Sequence, residues 1–217
     1  MGGVGHGTLS LDSFSASAAA LVKRWKEIEV DDSLPDWAWK PCCKTGGPSE
    51  LEGYLALEGL YRDCGGSQEQ IEENGNSDGA DIFACDTWVQ SSSYNVHVYD
   101  FHVVYSYSYK VPVLYFQAHR SDGQLLTLDQ IKQDLPSDSL KVLSESKWTF
   151  ITREEHPYLS RPWFTLHPCA TSDWMKLLLE ESKVAYEEQS LRYLPAWLSV
   201  VGQAVGLKIP LELHCRS

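Results

Sequence analysis

The sequence has no basic cluster. Its 217 residues carry 18 Lys and Arg against 30 Asp and Glu, a formal net charge of −12, and no stretch gathers five or more cations. Phosphate backbones and anionic bilayers draw much of their binding energy from such clusters. Nucleic acid is therefore not an expected partner, and stable membrane insertion is not expected either. No run of 18 apolar residues is present to cross a bilayer. The N-terminus lacks the basic-then-apolar order of a signal peptide, and His6 stands where a myristoylation motif needs Ser or Thr. The chain reads as cytosolic. No CxxC pair occurs among Cys42, Cys43, Cys64, Cys85, Cys169 and Cys215. Structural zinc prefers such pairs, so no metal and no cofactor is expected. In a reducing compartment the six cysteines should be free thiols.

What is present describes one α+β domain. Some 43% of the residues are hydrophobic, with eight Trp and eleven Tyr, enough for a sizeable core. Leu11, Phe14, Ala18, Leu21, Val22, Trp25 and Ile28 recur at three- and four-residue steps, so residues 9–29 predict an amphipathic helix capped by Ser10. That stripe is read as a packing face, with a partner-binding face as the sharper alternative. Residues 36–42 and 51–61 predict a strand pair across a Gly-Pro turn. Residues 94–106 and 110–119, rich in Val, Tyr and Phe, predict a long hairpin. Between them, residues 63–86 are acidic, glycine-rich and without Lys or Arg, and read as a disordered solvated loop. Thr127 predicts the cap of a short helix, about 127–134, and the rest reads as helical. One helix starts at a Thr171 cap. A final one has Pro195 at its first position and Gly206 just past its end. Strands first and helices after them argue for a four-strand antiparallel sheet with an N-terminal helix and C-terminal helices. Residues 1–8 are expected to be a flexible N-terminus and 9–214 a single domain.

The stretch FTLHPCATSDW places Cys169 just before the helix expected from Thr171. The helix dipole and free backbone N–H groups at such an end favour a thiolate. His167 lies two residues away, and Pro168 stiffens the approach. A buried, inert free thiol is the competing reading. A cysteine hydrolase would need an oriented histidine base, and nothing in the spacing pairs one with Cys169. A carrier thiol needs less. It exchanges an acyl group with another thioester and presents it to an amine, which calls mainly for positioning and oxyanion donors.

Four blocks carry a resemblance: YDFHVVYSYSYKVPVLYF (99–116), LTLDQI (126–131), EEHPYLSRPWFTLHPCATSDWM (154–175) and WLSVVGQAVGL (197–207). Together they resemble the E2-like conjugating enzymes of autophagy, well over residues 94–211 and only by layout before that. The resemblance implies a ubiquitin-conjugating (E2-like) core and a ubiquitin-like protein transferase. It implies that autophagy-related protein twelve, a ubiquitin-like modifier, comes from the E1-like activating enzyme, autophagy-related protein seven. The modifier would be held on Cys169 as a thioester and passed to a lysine of the acceptor, autophagy-related protein five. Ubiquitin E2 enzymes carry His-Pro-Asn before their cysteine, the Asn donating to the oxyanion. Here His156-Pro157-Tyr158 stands instead, so the Asn is missing. His167, oriented by a tyrosine of the 105–109 segment, Tyr105 being named for support, is expected to replace it.

Two alternatives are the sibling enzyme of the lipidation pathway and a non-catalytic E2-like binding module. The first works through an amphipathic N-terminal helix on membranes, and the Lys23, Arg24 and Lys26 cations of helix 9–29 are balanced by Glu27 and Glu29. A cysteine hydrolase of ubiquitin-like conjugates is a third. Exposed edges of strands 94–119 are expected to be where an acceptor adds a strand.

Overall fold

The computed structural model describes residues 7–28, 34–42, 52–63, 96–145, 150–180 and 186–214. Apart from Asp63, the acidic loop expected over 63–86 lies outside them, as do Cys43, Cys64, Cys85 and Cys215.

Helix α1 spans Leu11–Glu27, and Ser10 caps it as expected, its hydroxyl accepting from Ser13 N. Strands β1 (Ala38–Pro41) and β2 (Gly53–Asp63) pair antiparallel, as do β3 (Val96–Ser106) and β4 (Val111–Arg120). Helix α2 (Leu128–Gln133) starts at Thr127, whose side chain and that of Gln130 satisfy each other's backbone N–H groups. Helix α3 (Ser137–Glu145) follows.

The expectation that everything beyond this is helical is corrected. Strands β5 (Ile151–Glu155) and β6 (Pro162–Leu166) form a further hairpin, so the antiparallel sheet has six strands, ordered β1-β2-β3-β4-β6-β5. β5 reads ITREE, a charged edge strand, and β6 is five residues that begin with proline. Neither has the β-branched run that marks β3 and β4. The order also corrects the expected docking edge. β3 is flanked by β2 and β4, and β4 pairs with β6 through Tyr115 and Phe116, so the long hairpin is interior.

Alternation along the strands divides the core in two. Leu55, Leu57, Phe101, Val103, Leu114 and Phe116 pack beneath the helices, against Phe14, Ala18, Leu21 and Trp25 of α1. The apolar stripe of α1 is thus spent inside the fold. The opposite face carries a smaller cluster of Tyr54, Ala56, Val104, Val113, Tyr115 and Trp163.

Two helices close the fold: α4 (Thr171–Glu180) and α5 (Tyr186–Ala204). Pro195 lies inside α5, not at its first position. Proline removes the hydrogen bond to the carbonyl four residues back. That carbonyl, Leu191 O, instead accepts the Ser17 hydroxyl of α1 at 3.3 Å, and Ser17 Oγ accepts from Leu194 N at 3.2 Å. The sister helix thus takes up the group that proline frees. Gly206 ends the helix at φ 64°, as its position predicts.

Gly7 and Thr8, expected within a flexible terminus, are described and held. Gly7 is buried, and its carbonyl accepts from the Tyr193 hydroxyl at 2.6 Å. Leu9 N donates to Lys110 O of the β3–β4 turn at 2.8 Å. Gly7 has φ 70°, and a Cβ there would stand 1.8 Å from Ser172 O of α4. Gly7→Ala should therefore cost at least about 2 kcal/mol, since both the left-handed backbone and the contact with α4 resist a side chain. Thermal denaturation measures this, and an unchanged melting temperature would contradict the packing of this segment.

Candidate active site around Cys169

β6 delivers the chain to the site. Thr165 is buried with its hydroxyl on Leu114 O at 2.8 Å, which fixes the end of β6 on β4. His167 follows, its N–H donating to Phe150 O at 3.1 Å. Pro168 and the turn at 169–170 then lead into α4. The first helical bond runs from Trp174 N to Ala170 O at 3.3 Å, so Thr171 is the first helical residue and not the cap.

Cys169 stands in that turn as an exposed free thiol, which removes the buried-core reading. Cys42, the other described cysteine, follows β1 and is partly buried, with its thiol 3.8 Å from Lys40 O.

His167 Nδ1 accepts from Cys169 N at 3.2 Å. A ring nitrogen that accepts carries no hydrogen, so the neutral imidazole has its N–H at Nε2. The ring is clamped on two sides. Phe150 stacks on it with centroids 5.0 Å apart, and Tyr109 meets it edge-on at 5.8 Å. The tyrosine of the 105–109 segment that touches His167 is therefore Tyr109. Tyr105 is buried toward α1, where its hydroxyl donates to Leu9 O at 2.9 Å and its ring lies 5.6 Å from Phe14. Residue spacing could not tell these two apart, because the hairpin turn, not strand alternation, aims Tyr109. Phe150 carried no motif and was missed. Ala170 N–H, the next backbone donor after Cys169, has no acceptor among the described residues.

His156 lies elsewhere. It is fully buried on the sheet face away from α1, in the β5–β6 turn. Its Nδ1 accepts from Tyr158 N at 3.2 Å and from Leu159 N at 3.3 Å. Its Nε2–H must then donate to His102 Nδ1, 3.1 Å away, and His102 Nε2–H to Glu58 Oε1 at 3.1 Å. Glu58 sits at a register shift in β2, and its second oxygen pairs with Lys40 of β1 at 3.1 Å. The relay runs across the sheet from β5–β6 to β1. Burial, with the neighbouring His102 and Arg161, pushes His156 down to about 3. Burial also lowers His102, against the pull of Glu58. Burial of Glu58 opposes its ionisation, but the bonds from Lys40 and His102 together hold its carboxyl below the usual range.

Among the described residues, no cluster of three or more His, Cys, Asp or Glu side chains is placed to hold a metal ion. No described helix is long and apolar enough to cross a membrane.

An exposed thiol at a helix start beside an antiparallel sheet does not by itself name a reaction, and comparison with known proteins narrows it. A family model described as the active-site domain of autophagocytosis-associated protein matches residues 13–212. The chain belongs to this autophagocytosis-associated family. Within the family it is similar to the ubiquitin-like-conjugating enzyme ATG10 of Arabidopsis thaliana, 44% identical over 219 residues, 97% of this chain and 96% of that one. It is 40% identical to the enzyme of that name from Homo sapiens over 128 residues, 59% of this chain and 57% of that one. Autophagy-related protein 3 of Candida glabrata is 32% identical over 93 residues, 42% of this chain and 28% of that one. A solved structure titled as the autophagic E2, Atg10, aligns over 93% of this chain and 99% of that one, at TM-score 0.47 and 13% identity. The autophagocytosis-associated chain described here is an E2-like conjugating enzyme of autophagy. Such an enzyme works with an E1-like activating enzyme and a ubiquitin-like modifier.

Proposed function

We propose that Cys169 carries a ubiquitin-like modifier as a thioester. The modifier is autophagy-related protein twelve, handed on by the E1-like autophagy-related protein seven and passed to a lysine of autophagy-related protein five. The observation that carries this reading is the exposed Cys169 thiol in the turn ahead of α4, with the His167 ring bonded to its backbone N–H. In the first step the sulfur attacks the carbonyl carbon of the E1-bound thioester. A tetrahedral oxyanion forms, and the E1 thiol leaves with the proton that Cys169 gave up. In the second step the lysine amine attacks the new thioester and loses a proton, and the Cys169 thiol leaves. An isopeptide bond results, with no net oxidation. His167 Nε2–H and Ala170 N–H are the donors offered to the oxyanion in place of the missing asparagine. Phe150 and Tyr109 hold the imidazole.

The lipidation reading is weaker here. The apolar stripe of α1 that would meet a membrane is buried in the core. The ATG10 of Arabidopsis thaliana is 44% identical over 97% of this chain, whereas autophagy-related protein 3 of Candida glabrata is 32% identical over 42% of it. The test is to incubate the protein with the E1-like enzyme, ATP and the modifier. A thiol-reducible adduct should appear, and on addition of the acceptor it should give way to a thiol-resistant conjugate. If no reducible adduct forms, the carrier reading is lost.

His167→Ala should still load but should discharge to the acceptor roughly a hundredfold to a thousandfold more slowly, as expected for loss of one oxyanion donor. His167→Gln, which keeps one donor and one acceptor, should recover part of that rate. Single-turnover discharge of a preformed thioester measures both, and an unaltered rate in His167→Ala removes His167 from the chemistry.

A further inference from the structure

Beside the thiol the helical layer leaves a cavity of about 260 Å³. One wall is the end of β6, with Leu166 and His167, and another is the first turn of α4, with Thr171 and Trp174. Its other side is the stripe Trp197, Val200, Val201 and Ala204 of α5, residues three and four apart on one helix face. Trp197 is 1% exposed and packed into the core, whereas Val200, on the same stripe, is 41% exposed. An apolar residue thus borders an apolar hollow that nothing in the described fold fills.

The cavity adjoins the reacting atom. His167 and Thr171, both on its wall, stand two residues before and two after Cys169. Two residues span at most about 7 Å between Cα atoms. A modifier whose terminal carboxyl is bonded to the Cys169 sulfur has its last residues within reach of these walls, at about 3.5 Å per residue for an extended chain. An incoming large apolar side chain would find a hollow of its own size there, lined by two tryptophans. Interfaces commonly take most of their binding energy from such an anchor.

We propose that this cavity receives a large apolar side chain from the last few residues of the modifier's C-terminal tail. It would thereby select which ubiquitin-like tail Cys169 accepts. The proposal rests on the carrier reading of Cys169 and adds the tail's recognition site to it. Val200, Trp174 and Trp197 are then specificity-determining residues, and they take no part in bond making.

The test is single-turnover transfer of modifier from its preformed E1 thioester to this enzyme. Val200→Phe narrows the cavity from its exposed rim and should slow loading about tenfold, as expected for loss of one buried apolar anchor. Alkylation of Cys169 by iodoacetamide should keep its native rate, because the thiol itself is untouched. Replacing the tail's large apolar side chain with Ala should slow loading of the native enzyme by a similar factor. The two changes together should cost little more than either alone, since both remove the same contact. Native loading by the tail variant overturns the proposal and needs no enzyme variant to fold. Losses that multiply also overturn it, because they place the effect of Val200→Phe at the docking of the E1-like enzyme. If the unmodified pair gives no thioester at all, the carrier reading has failed instead, and that shows in the reference reaction.

Discussion

Cys169→Ala should form no covalent adduct with the modifier, and Cys169→Ser should form one that resists thiol reductants. The serine variant replaces a thioester with an oxygen ester, which hydroxylamine cleaves and dithiothreitol does not. Because the ester is less activated toward amines, the modifier should accumulate on Cys169→Ser and discharge to the acceptor very slowly. The thiol is exposed and makes no packing contact that the fold needs, so both variants should melt within about 0.5 kcal/mol of the native protein. That separation of stability from activity is what the carrier role requires. A Cys169→Ala protein that still takes up the modifier through a reducible bond would move the site to another cysteine. Gel mobility with and without reductant decides the matter.

The second large effect is on the far face of the sheet. His156→Ala should destabilise the fold by about 3–5 kcal/mol, lowering the melting temperature by about 10–15 °C. It would strand the N–H of Tyr158 and the Nδ1 of His102, leave Leu159 N–H only the backbone carbonyl of residue 156, and leave a void beside Trp163 and Tyr115. The same ring should make the protein acid-sensitive. An unfolded histidine takes a proton near 6.5, whereas burial first, then His102 and Arg161, keep folded His156 neutral down to about 3. The unfolded chain thus binds more protons between those values, and stability must fall as pH falls. The contribution is complete above pH 6.5 and declines by about 1.4 kcal/mol per pH unit below it. Urea denaturation at about pH 7, 6 and 5 should show stability falling and the fall steepening toward pH 5, with His102, also lowered by burial, adding to it. A His156→Gln variant should be less stable at neutrality and flatter with pH. Equal slopes in the two proteins would show that His156 is not the titrating group.

The His-Pro pair at 156–157 therefore has a structural part in this chain. It holds the β5–β6 turn, and β6 in turn sets where His167 and Cys169 emerge. Loss of His156 should reach the thiol by loosening that strand, so any lost activity should track lost stability. Loss of His167 should leave stability near native and slow only the chemistry.

Much of this was legible before any coordinates. The stripe from Leu11 to Ile28, the Ser10 and Thr127 caps and the β-rich run from 94 to 119 are local signals, read from residues a few positions apart, and each appears where it was expected. The thiol's place at a helix start was legible for the same reason. The errors share a different cause. β5 and β6 carry weak local propensity, and β6 gains its place by pairing with β4 and β5 by pairing with β6. Pro195 points to a helix start because proline breaks an isolated helix, but here Ser17 of another helix satisfies the carbonyl that proline releases. Within the 105–109 segment it is Tyr109 that meets His167, and strand position alone cannot say which ring a hairpin turn carries there.

By itself the sequence determined the class of fold, a candidate nucleophile ahead of a helix and the excess of acidic over basic residues, because periodicity, capping and charge are read along the chain. Only the tertiary structure decided that Cys169 is exposed, that Phe150 and Tyr109 clamp His167, and that His102 and His156 share a hydrogen bond. Those facts depend on contacts between residues tens of positions apart. Such contacts arise from burying apolar surface over the whole chain, and no single stretch encodes them.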